Sequence, residues 1–470
     1  MWKINGQLLQ LVAVLTATLC AISDGMQYAW TAPMIPILQN PESAFSVTHT
    51  DIIWLETIYM IGGLAGIPFI IYGVNRFGPK ITILIGTVLS IISWIMKAFA
   101  PSTVYFYVAR FISGFAANAD FVAAPMYISE IADKNVRGFL GSSIYLMMLL
   151  GIVIIYSVGP YVSILVSSAV GCSFLVVELL IFPFMPESPY YLISKGKVEE
   201  AKRSLRLLRP TSDSIDQELE GIQSNVRARQ EDTKKRHFTD LITMKASRKA
   251  LTIVTTLNFA QHFSSYSVIL MNLHMILDYA ESSWGSNESA ITFSAGMLGA
   301  ALFSSFLVDR AGRRILLCGS STLAGLSIVT VATFFAVKHA GIDITDYSWV
   351  PSASTLCYAV FFKCGLGLIP IVLTAELFPS DVKAMGMALA SAMYSVSSAA
   401  STYLFHYLYE AYGMHVPFYV FGVCCFLTTL FAYFYIPETK GKTLAEIQVI
   451  LNSSTTTKQT KSDIQIVLSK

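Results

Sequence analysis

Twelve separate stretches of this 470-residue chain are predominantly apolar, each about 20 residues long, the length that crosses a bilayer as a helix. They lie at roughly 8–30, 52–73, 80–100, 103–127, 138–159, 162–185, 250–277, 289–308, 314–338, 350–376, 383–409 and 415–436. Hydrocarbon offers a backbone no hydrogen-bond partner, so runs of this length are read as helices that satisfy their own N–H and C=O groups. The composition agrees. Only 13% of residues are charged, against about 25% in an ordinary soluble domain. The expected fold class is an all-α integral membrane protein.

The amino-terminal run follows a single lysine and has no convincing cleavage site, and reads as a first span rather than a signal peptide. Residues 186–249 break the pattern with 14 Lys/Arg and 10 Asp/Glu, a solvated insert that leaves six spans on either side. This gives an amino-terminal bundle at 1–185, a helical linker at 186–249, a second bundle at 250–436 and a tail at 437–470. In the insert, Ser188-Pro189 reads as a helix cap with proline in the first turn. Leu192, Leu205 and Leu208 form its apolar edge, and a second helix is expected from Asp213. Thr443 and Glu446 have the spacing of a capping box. The Ser/Thr/Lys-rich residues from Asn452 onward have the composition of a disordered tail.

Basic residues set the orientation. Loops after even-numbered spans carry Arg76, Lys80, Lys134, Arg137, Arg310, Arg313, Arg314 and Lys383, whereas Lys97 and Lys338 lie near the ends of odd-numbered loops. The even loops and both termini are therefore expected in the cytosol. The formal net charge of the whole chain, +2, is too near balance to argue for nucleic acid. No Gly-rich phosphate loop, G-x-S-x-G, H-E-x-x-H or C-x-x-C is present, so no enzyme, cofactor or metal site is expected. The seven cysteines, Cys20, Cys172, Cys318, Cys357, Cys364, Cys424 and Cys425, all lie in apolar runs and read as small buried hydrophobes.

One turn occurs twice. "VNRFGPKITI" at 74–83 follows the second span and "VDRAGRRILL" at 308–317 follows the eighth. Positive-inside sorting explains the charges of these loops but not the shared Arg-x-Gly spacing. Two six-span halves with matching turns form a parallel internal repeat, an organisation that permits the halves to rock about a central site.

Further motifs stand at span ends: Arg110-xxx-Gly114, "PMYISEIADKNVRG" at 125–138, "PESP" at 186–189, "DRAGRR" at 309–314, "AELFP" at 375–379 and "PETKGKTL" at 437–444. In this order they resemble the sugar porter family of the major facilitator superfamily, across residues 8–451. "WTAP" at 30–33 and "QHFS" at 261–264 resemble its insect facilitated trehalose transporter branch. The resemblance implies a major facilitator fold in the plasma membrane, a sugar substrate and the bilayer as partners, and a cytosolic gate. It says nothing of oligomeric state.

The expected gate residues are Glu130, Arg137, Glu187, Asp309, Arg310, Arg313, Arg314, Glu376, Lys383 and Glu438. Both signs occur in both halves, so ion pairs could clamp the halves together; each residue read alone is equally an ordinary surface charge worth about 0–1 kcal/mol. Asn75 and Pro79-Lys80 depart from the family pattern in the first turn. In the eleventh span Ser391, Ser395, Ser398 and Thr402 form one helical stripe, with Tyr394 beside it; in the seventh Gln261, Ser264, Ser265 and Asn272 form another. Gln261 lies about 17 Å along its span at 1.5 Å per residue, near the midplane where such carriers bind substrate. Small polar residues also simply let membrane helices pack.

By resemblance, sugar contacts fall on Tyr145, Gln261, His262, Ser267, Asn272, Met297, Ile371, Tyr394, Ser395 and Ser398, of which Gln261 alone keeps the usual residue type. Intramembrane ionisable groups are Asp24, Glu56, Arg110, Asp120, Glu178, His262 and Lys363, each either functional or paired across helices for structure. The resemblance also implies that proton-coupled members carry an Asp where this chain has Thr31. Three functions are therefore weighed: a facilitative carrier of trehalose or a hexose, a proton-coupled carrier of a sugar, polyol or other small solute, and a non-transporting nutrient sensor. Asn287-Glu288-Ser289 is a candidate glycosylation site.

Overall fold

The computed structural model describes residues 6–40, 47–133, 137–209, 215–235, 243–378, 382–440, 442 and 444–452. Every regular element among them is a helix. The first part of the chain runs α1 (Gly6–Ala17), α2 (Leu19–Tyr28), α3 (Thr31–Gln39), α4 (His49–Phe77), α5 (Pro79–Ala98), α6 (Thr103–Asn118), α7 (Ala124–Ile131), α8 (Arg137–Val158) and α9 (Ile164–Ile181). The insert supplies α10 (Pro189–Ser194), α11 (Val198–Leu208) and α12 (Ile215–Lys235). The remainder runs α13 (Lys245–His262), α14 (Tyr266–Ala280), α15 (Ser286–Ala311), α16 (Arg313–His339), α17 (Val350–Cys364), α18 (Ile369–Leu377), α19 (Lys383–Tyr412), α20 (His415–Tyr435) and α21 (Leu444–Asn452).

Among the described residues, eight helical stretches are long and apolar enough to cross a membrane. The other four expected spans, at 103–127, 250–277, 289–308 and 383–409, are helical over most of their length. Several spans are not single helices. The first breaks at Thr18, whose hydroxyl donates to Leu15 O at 3.1 Å, and again between Tyr28 and Thr31. The fourth contains a π-helical segment at Ala119–Ala123, a feature found mostly at functional places in helices. The seventh breaks between α13 and α14, and the tenth between α17 and α18.

The duplicated turn has a backbone cause. Gly78 ends α4 and precedes α5 at φ 93°, ψ 163°; Gly312 stands between α15 and α16 at φ 93°, ψ 152°. This region is open essentially to glycine alone, which explains why the Arg-x-Gly spacing occurs twice. The two turns are braced differently. A Cβ on Gly78 would meet the Tyr191 ring at 2.8 Å, and Tyr191 OH donates to Arg76 O at 2.9 Å. A Cβ on Gly312 would instead meet Glu438 Oε2 at 2.8 Å.

The insert has its own small core of Leu192, Ala201, Leu205, Ile215, Leu219, Ile222 and Val226. Ser188 Oγ accepts from Tyr191 N at 3.2 Å, so the expected cap is formed. Arg209 grips Glu218 through Nε and Nη2 and donates Nη1 to Ile131 O at 3.0 Å. Gln10 in α1 donates to Leu208 O at 2.6 Å and accepts from Asp133 N at 3.0 Å. The expected Thr443 cap falls outside the described residues.

Two compact units emerge; their main boundary falls within the insert, between Lys234 and Lys235, and two later segments group with the first unit. One comprises Met1–Lys234, Ile269–Tyr279 and Gly285–Leu298; the other comprises Lys235–Val268, Ala280–Trp284 and Gly299–Lys470. Most of α14 thus groups with the first unit.

Candidate functional site

In the second unit the break after His262 gathers the polar side chains. Ser265 adopts φ 80°, a left-handed conformation costly for a residue with a Cβ, and its N–H bonds His262 O at 3.1 Å. Ser264 Oγ donates to Gln261 O at 2.7 Å, meeting a carbonyl that the interrupted helix leaves exposed. His262 Nδ1 lies 2.6 Å from Ser267 Oγ, which lies 2.8 Å from Ser398 Oγ on α19. The Tyr394 ring packs edge-on against His262 at a centroid distance of 4.2 Å. Gln261 Nε2 donates to Gly367 O at 3.3 Å, in the break between α17 and α18. Thus α13, α14, α18 and α19 meet around one imidazole and one amide.

This cluster has polar atoms to spare. Gln261 Oε1, His262 Nε2, Ser265 Oγ and Thr402 Oγ1 are buried with no hydrogen-bond partner, in residues at most 3% exposed. Buried polar groups in folded proteins are nearly always bonded, so these four atoms are exceptions that call for an explanation. Lys363 borders it: its ammonium donates to Tyr266 OH at 3.2 Å and sits 4.4 Å over the Tyr266 ring, which stacks on Phe362. Ser395 and Tyr394 are half-buried, and Ile371 is 49% exposed.

The remaining expected contacts belong to the first unit. Asn272 and Met297 are buried there and Tyr145 is half-buried. Thr31 Oγ1 donates to Met271 O at 3.2 Å, and Tyr156 OH donates to Leu270 O at 2.6 Å, so α3 and α8 hold the carbonyls of α14. The Tyr156 ring also meets His274 edge-on at 5.5 Å.

Comparison with known proteins decides the family. Residues 9–451 match the family described as sugar (and other) transporter. The chain belongs to the sugar transporter family. It is 31% identical to the facilitated trehalose transporter Tret1 of Polypedilum vanderplanki, over 93% of this chain and 87% of that one. Against Tret1 of Drosophila virilis the identity is 28%, over 93% of this chain; the chain spans 48%, about half, of that relative's length. Among solved structures, the inward-open xylose transporter XylE of E. coli superposes with TM-score 0.77 at 20% identity, covering 94% of this chain and 99% of that one. The proton:xylose symporter XylE bound to 6-bromo-6-deoxy-D-glucose gives TM-score 0.74 at 22% identity, covering 94% and 99%. The fold is therefore that of the major facilitator sugar porters, and the protein is a transporter rather than an enzyme.

The expected gate residues whose side chains are described form bonded networks inside each unit. In the second, Arg313 Nη2 pairs with Glu376 Oε1 at 3.1 Å, and Glu376 Oε2 accepts from Thr439 Oγ1 at 2.6 Å. Glu438 accepts the backbone N–H of Arg313 at 3.0 Å and of Arg314 at 3.1 Å, placing a carboxylate at the N-terminus of α16, where the helix dipole favours it. Burial acts to raise the Glu438 carboxyl. The N–H groups of Lys440, Arg313 and Arg314, with the Arg313 charge, outweigh it and hold the group below the usual range. Arg314 lies over Tyr433 at 4.9 Å, and Lys440 Nζ donates to Arg310 O at 2.5 Å. In the first unit Ser188 Oγ donates to Glu130, whose carboxylate is buried, while Glu187 Oε1 accepts from Ser188 N at 2.9 Å. The side chains of Arg137, Asp309 and Lys383 lie outside the described residues. The ion pair described here, Arg313–Glu376, braces one unit internally and is not a link from half to half.

The intramembrane charges separate into three groups. Asp24 Oδ1 accepts from Tyr59 OH at 2.7 Å, and the Arg110 guanidinium lies 4.5 Å over the Tyr59 ring. Arg110 also donates to Leu55 O at 2.9 Å and to Gln27 O. Lys97, in the last turn of α5 as expected, is buried at 1% exposed; it donates to Gln27 Oε1 at 2.8 Å beneath Trp30 and Trp94. Sequence reading missed Gln27, Tyr59 and Tyr266, whose residue types are ordinary in membrane helices. Lys363 belongs to the second unit, and Glu178 stands apart from both groups. Asp120 falls in the π-helical segment Ala119–Ala123, and its side chain is outside the described residues.

Proposed function

We propose that this protein is a facilitative carrier of a neutral sugar, trehalose or a hexose, working by alternating access in the plasma membrane with both termini in the cytosol. The observation that carries the proposal is the buried cluster on α13, α14 and α19: an amide, an imidazole and serine hydroxyls with unused hydrogen-bonding atoms. Such neutral groups can each donate or accept, which suits a polyhydroxyl solute, and the trehalose-transporting relatives support that class. Thr31 offers no carboxyl for a proton and is already bonded to Met271 O, which supports carriage without coupling.

The test is uptake of radiolabelled trehalose and hexoses into proteoliposomes containing the purified full chain. Gln261→Ala should weaken binding by about 1–3 kcal/mol, the cost of leaving buried hydroxyls unpaired, or roughly five- to 150-fold. Because Gln261 also holds Gly367 O, thermal stability is measured in parallel. Wild-type affinity in a folded Gln261→Ala protein refutes this site. Uptake that rises steeply with an inward proton gradient refutes uncoupled transport, and no uptake of any solute in a broad panel favours a sensor.

A further inference from the structure

Two histidines meet where α16 ends and α20 begins. His339 is the last residue of α16 and His415 the first of α20; their ring centroids stand 4.9 Å apart, with planes inclined by 36°. Beside them is the turn at Gly413, which joins α19 to α20. A Cβ placed on Gly413 would have imidazole atoms as its three nearest neighbours: His339 Nδ1 and His415 Nδ1, both at 3.5 Å, and His339 Cε1 at 3.6 Å. Both Nδ1 atoms therefore face one point, at equal distance from it, and glycine keeps that point free of a side chain.

The rings are carried by a closely packed pair of helices. Phe335 of α16 meets Phe418 of α20 at 5.8 Å, and Ser321 Oγ lies 2.7 Å from Thr429 Oγ1, so the two helices run antiparallel. A Cβ on Gly325 would touch Cys425 Cβ at 2.9 Å, which shows how near the backbones come. The helix ends are thus held in register, and groups placed on helices are positioned more exactly than groups on loops.

Packing alone leaves the imidazoles unexplained. His415 Nδ1 is buried with no hydrogen-bond partner, an uncommon state for a polar atom. His339 is exposed, so the pair is open to solvent on that side. A neutral imidazole keeps one nitrogen lone pair. Two such nitrogens aimed at one place are a donor set for a borderline-soft divalent ion, with zinc–nitrogen bonds of about 2.0–2.1 Å. The two nitrogens stand no further apart than twice 3.5 Å, and an exposed ring such as His339 turns freely enough to close the remainder. No group of three His, Cys, Asp or Glu residues suited to a metal occurs among the described residues, so water would complete the shell, as in an open site. The neighbouring cation does not oppose an ion here, because Lys338 Nζ is paired with Glu281 at 3.0 Å.

We propose that His339 and His415 form a binding site for a zinc-class divalent ion, held by two imidazoles and water. The bound ion ties the end of α16 to the start of α20 beside the Gly413 turn. All three residues belong to the second unit. The site is separate from the sugar cluster, and its test does not depend on transport. No metal motif announces it in the sequence, because its ligands come from distant spans that only the packing of α16 on α20 brings together.

The experiment is thermal unfolding of the purified, untagged full chain in detergent, at one heating rate, titrated with zinc ion alone. An ion bound only by the folded state raises the midpoint once its concentration passes the Kd. Wild type should show a saturable upward shift that EDTA reverses, and equilibrium dialysis should find zinc retained by the protein. His339→Ala, which removes an exposed side chain, should keep the metal-free midpoint of wild type and lose both the shift and the retained zinc. His415→Ala should lose them as well. Magnesium, which prefers oxygen ligands, should give no shift. The proposal is overturned by no zinc shift in wild type, by an equal shift with magnesium, or by a zinc shift that survives in His339→Ala. Should His415→Ala not fold, His339→Ala decides alone.

Discussion

Replacing Gly312 by alanine tests whether the repeated turn exists for its backbone. At φ 93°, ψ 152° any side chain costs about 1–3 kcal/mol in backbone strain. The new methyl would also stand 2.8 Å from Glu438 Oε2, forcing that carboxylate off the N–H groups of Arg313 and Arg314. Loss of such a helix cap costs about 0.5–2 kcal/mol, so the total is about 2–4 kcal/mol when the two contributions are added with partial relaxation. The assay is thermal unfolding of purified protein in detergent, at one heating rate because membrane proteins commonly unfold irreversibly. Glu438→Ala alone should show the cap loss. In that background Gly312→Ala should cost only the strain, the two changes being less than additive by about 0.5–2 kcal/mol. Gly78→Ala, whose methyl meets Tyr191 instead, should be destabilising yet strictly additive with Glu438→Ala. If Gly312→Ala melts like wild type, or couples to Glu438 no more than Gly78→Ala does, the reasoning about this turn is wrong.

The same carboxylate gives a pH dependence. Its folded-state value is lowered, so its contribution is fully present above the ordinary glutamate value of about 4.3 and is lost as pH falls through the lower folded value; the melting temperature of wild type, but not of Glu438→Gln, should drop across that acid window. Arg313→Ala should lower stability by about 1.5–3 kcal/mol, the range for hydrogen bonds to charged groups, and adding Glu376→Ala should cost little more; full additivity would deny the pair. Asn287, half-buried in the first turn of α15, should carry a glycosidase-sensitive mass that disappears in Asn287→Gln and persists in Asn452→Gln. The reverse pattern would invert the proposed topology.

Hydropathy read along the chain located the spans because burying about 20 apolar residues is a property of the whole window. It could not locate the breaks inside them. The interruption at Thr18 has neither glycine nor proline beside it, and Ser265 holds a positive φ without the residue type that usually announces one. Those conformations are imposed by tertiary contacts, which a local pattern does not record. The Gly78 and Gly312 turns were legible for the opposite reason: their backbone geometry excludes other residues. In the candidate site the serine stripe on α19 includes Ser398, which is buried and lies 2.8 Å from Ser267 Oγ. That Ser267 and His262 would complete a chain with it depends on the break between α13 and α14. Lys97 stands in the last turn of α5, near the span end where it was read, but a loop-charge count does not record that Gln27 and two indoles receive its ammonium.

The split of α14 matters to anyone who builds hybrids of this carrier with a relative. Cutting at the charged insert looks natural, since the sequence changes character there. Such a cut would separate Leu270 and Met271 from Tyr156 and Thr31, the side chains that hold their carbonyls, and would mate this segment with a foreign bundle. A junction beside Ser265, with a return crossing after Leu298, would keep residues 269–279 and 285–298 with the unit to which they belong. The interchangeable module of this chain is thus discontinuous in sequence, and substrate preferences assigned by swapping simple halves would be credited to the wrong piece.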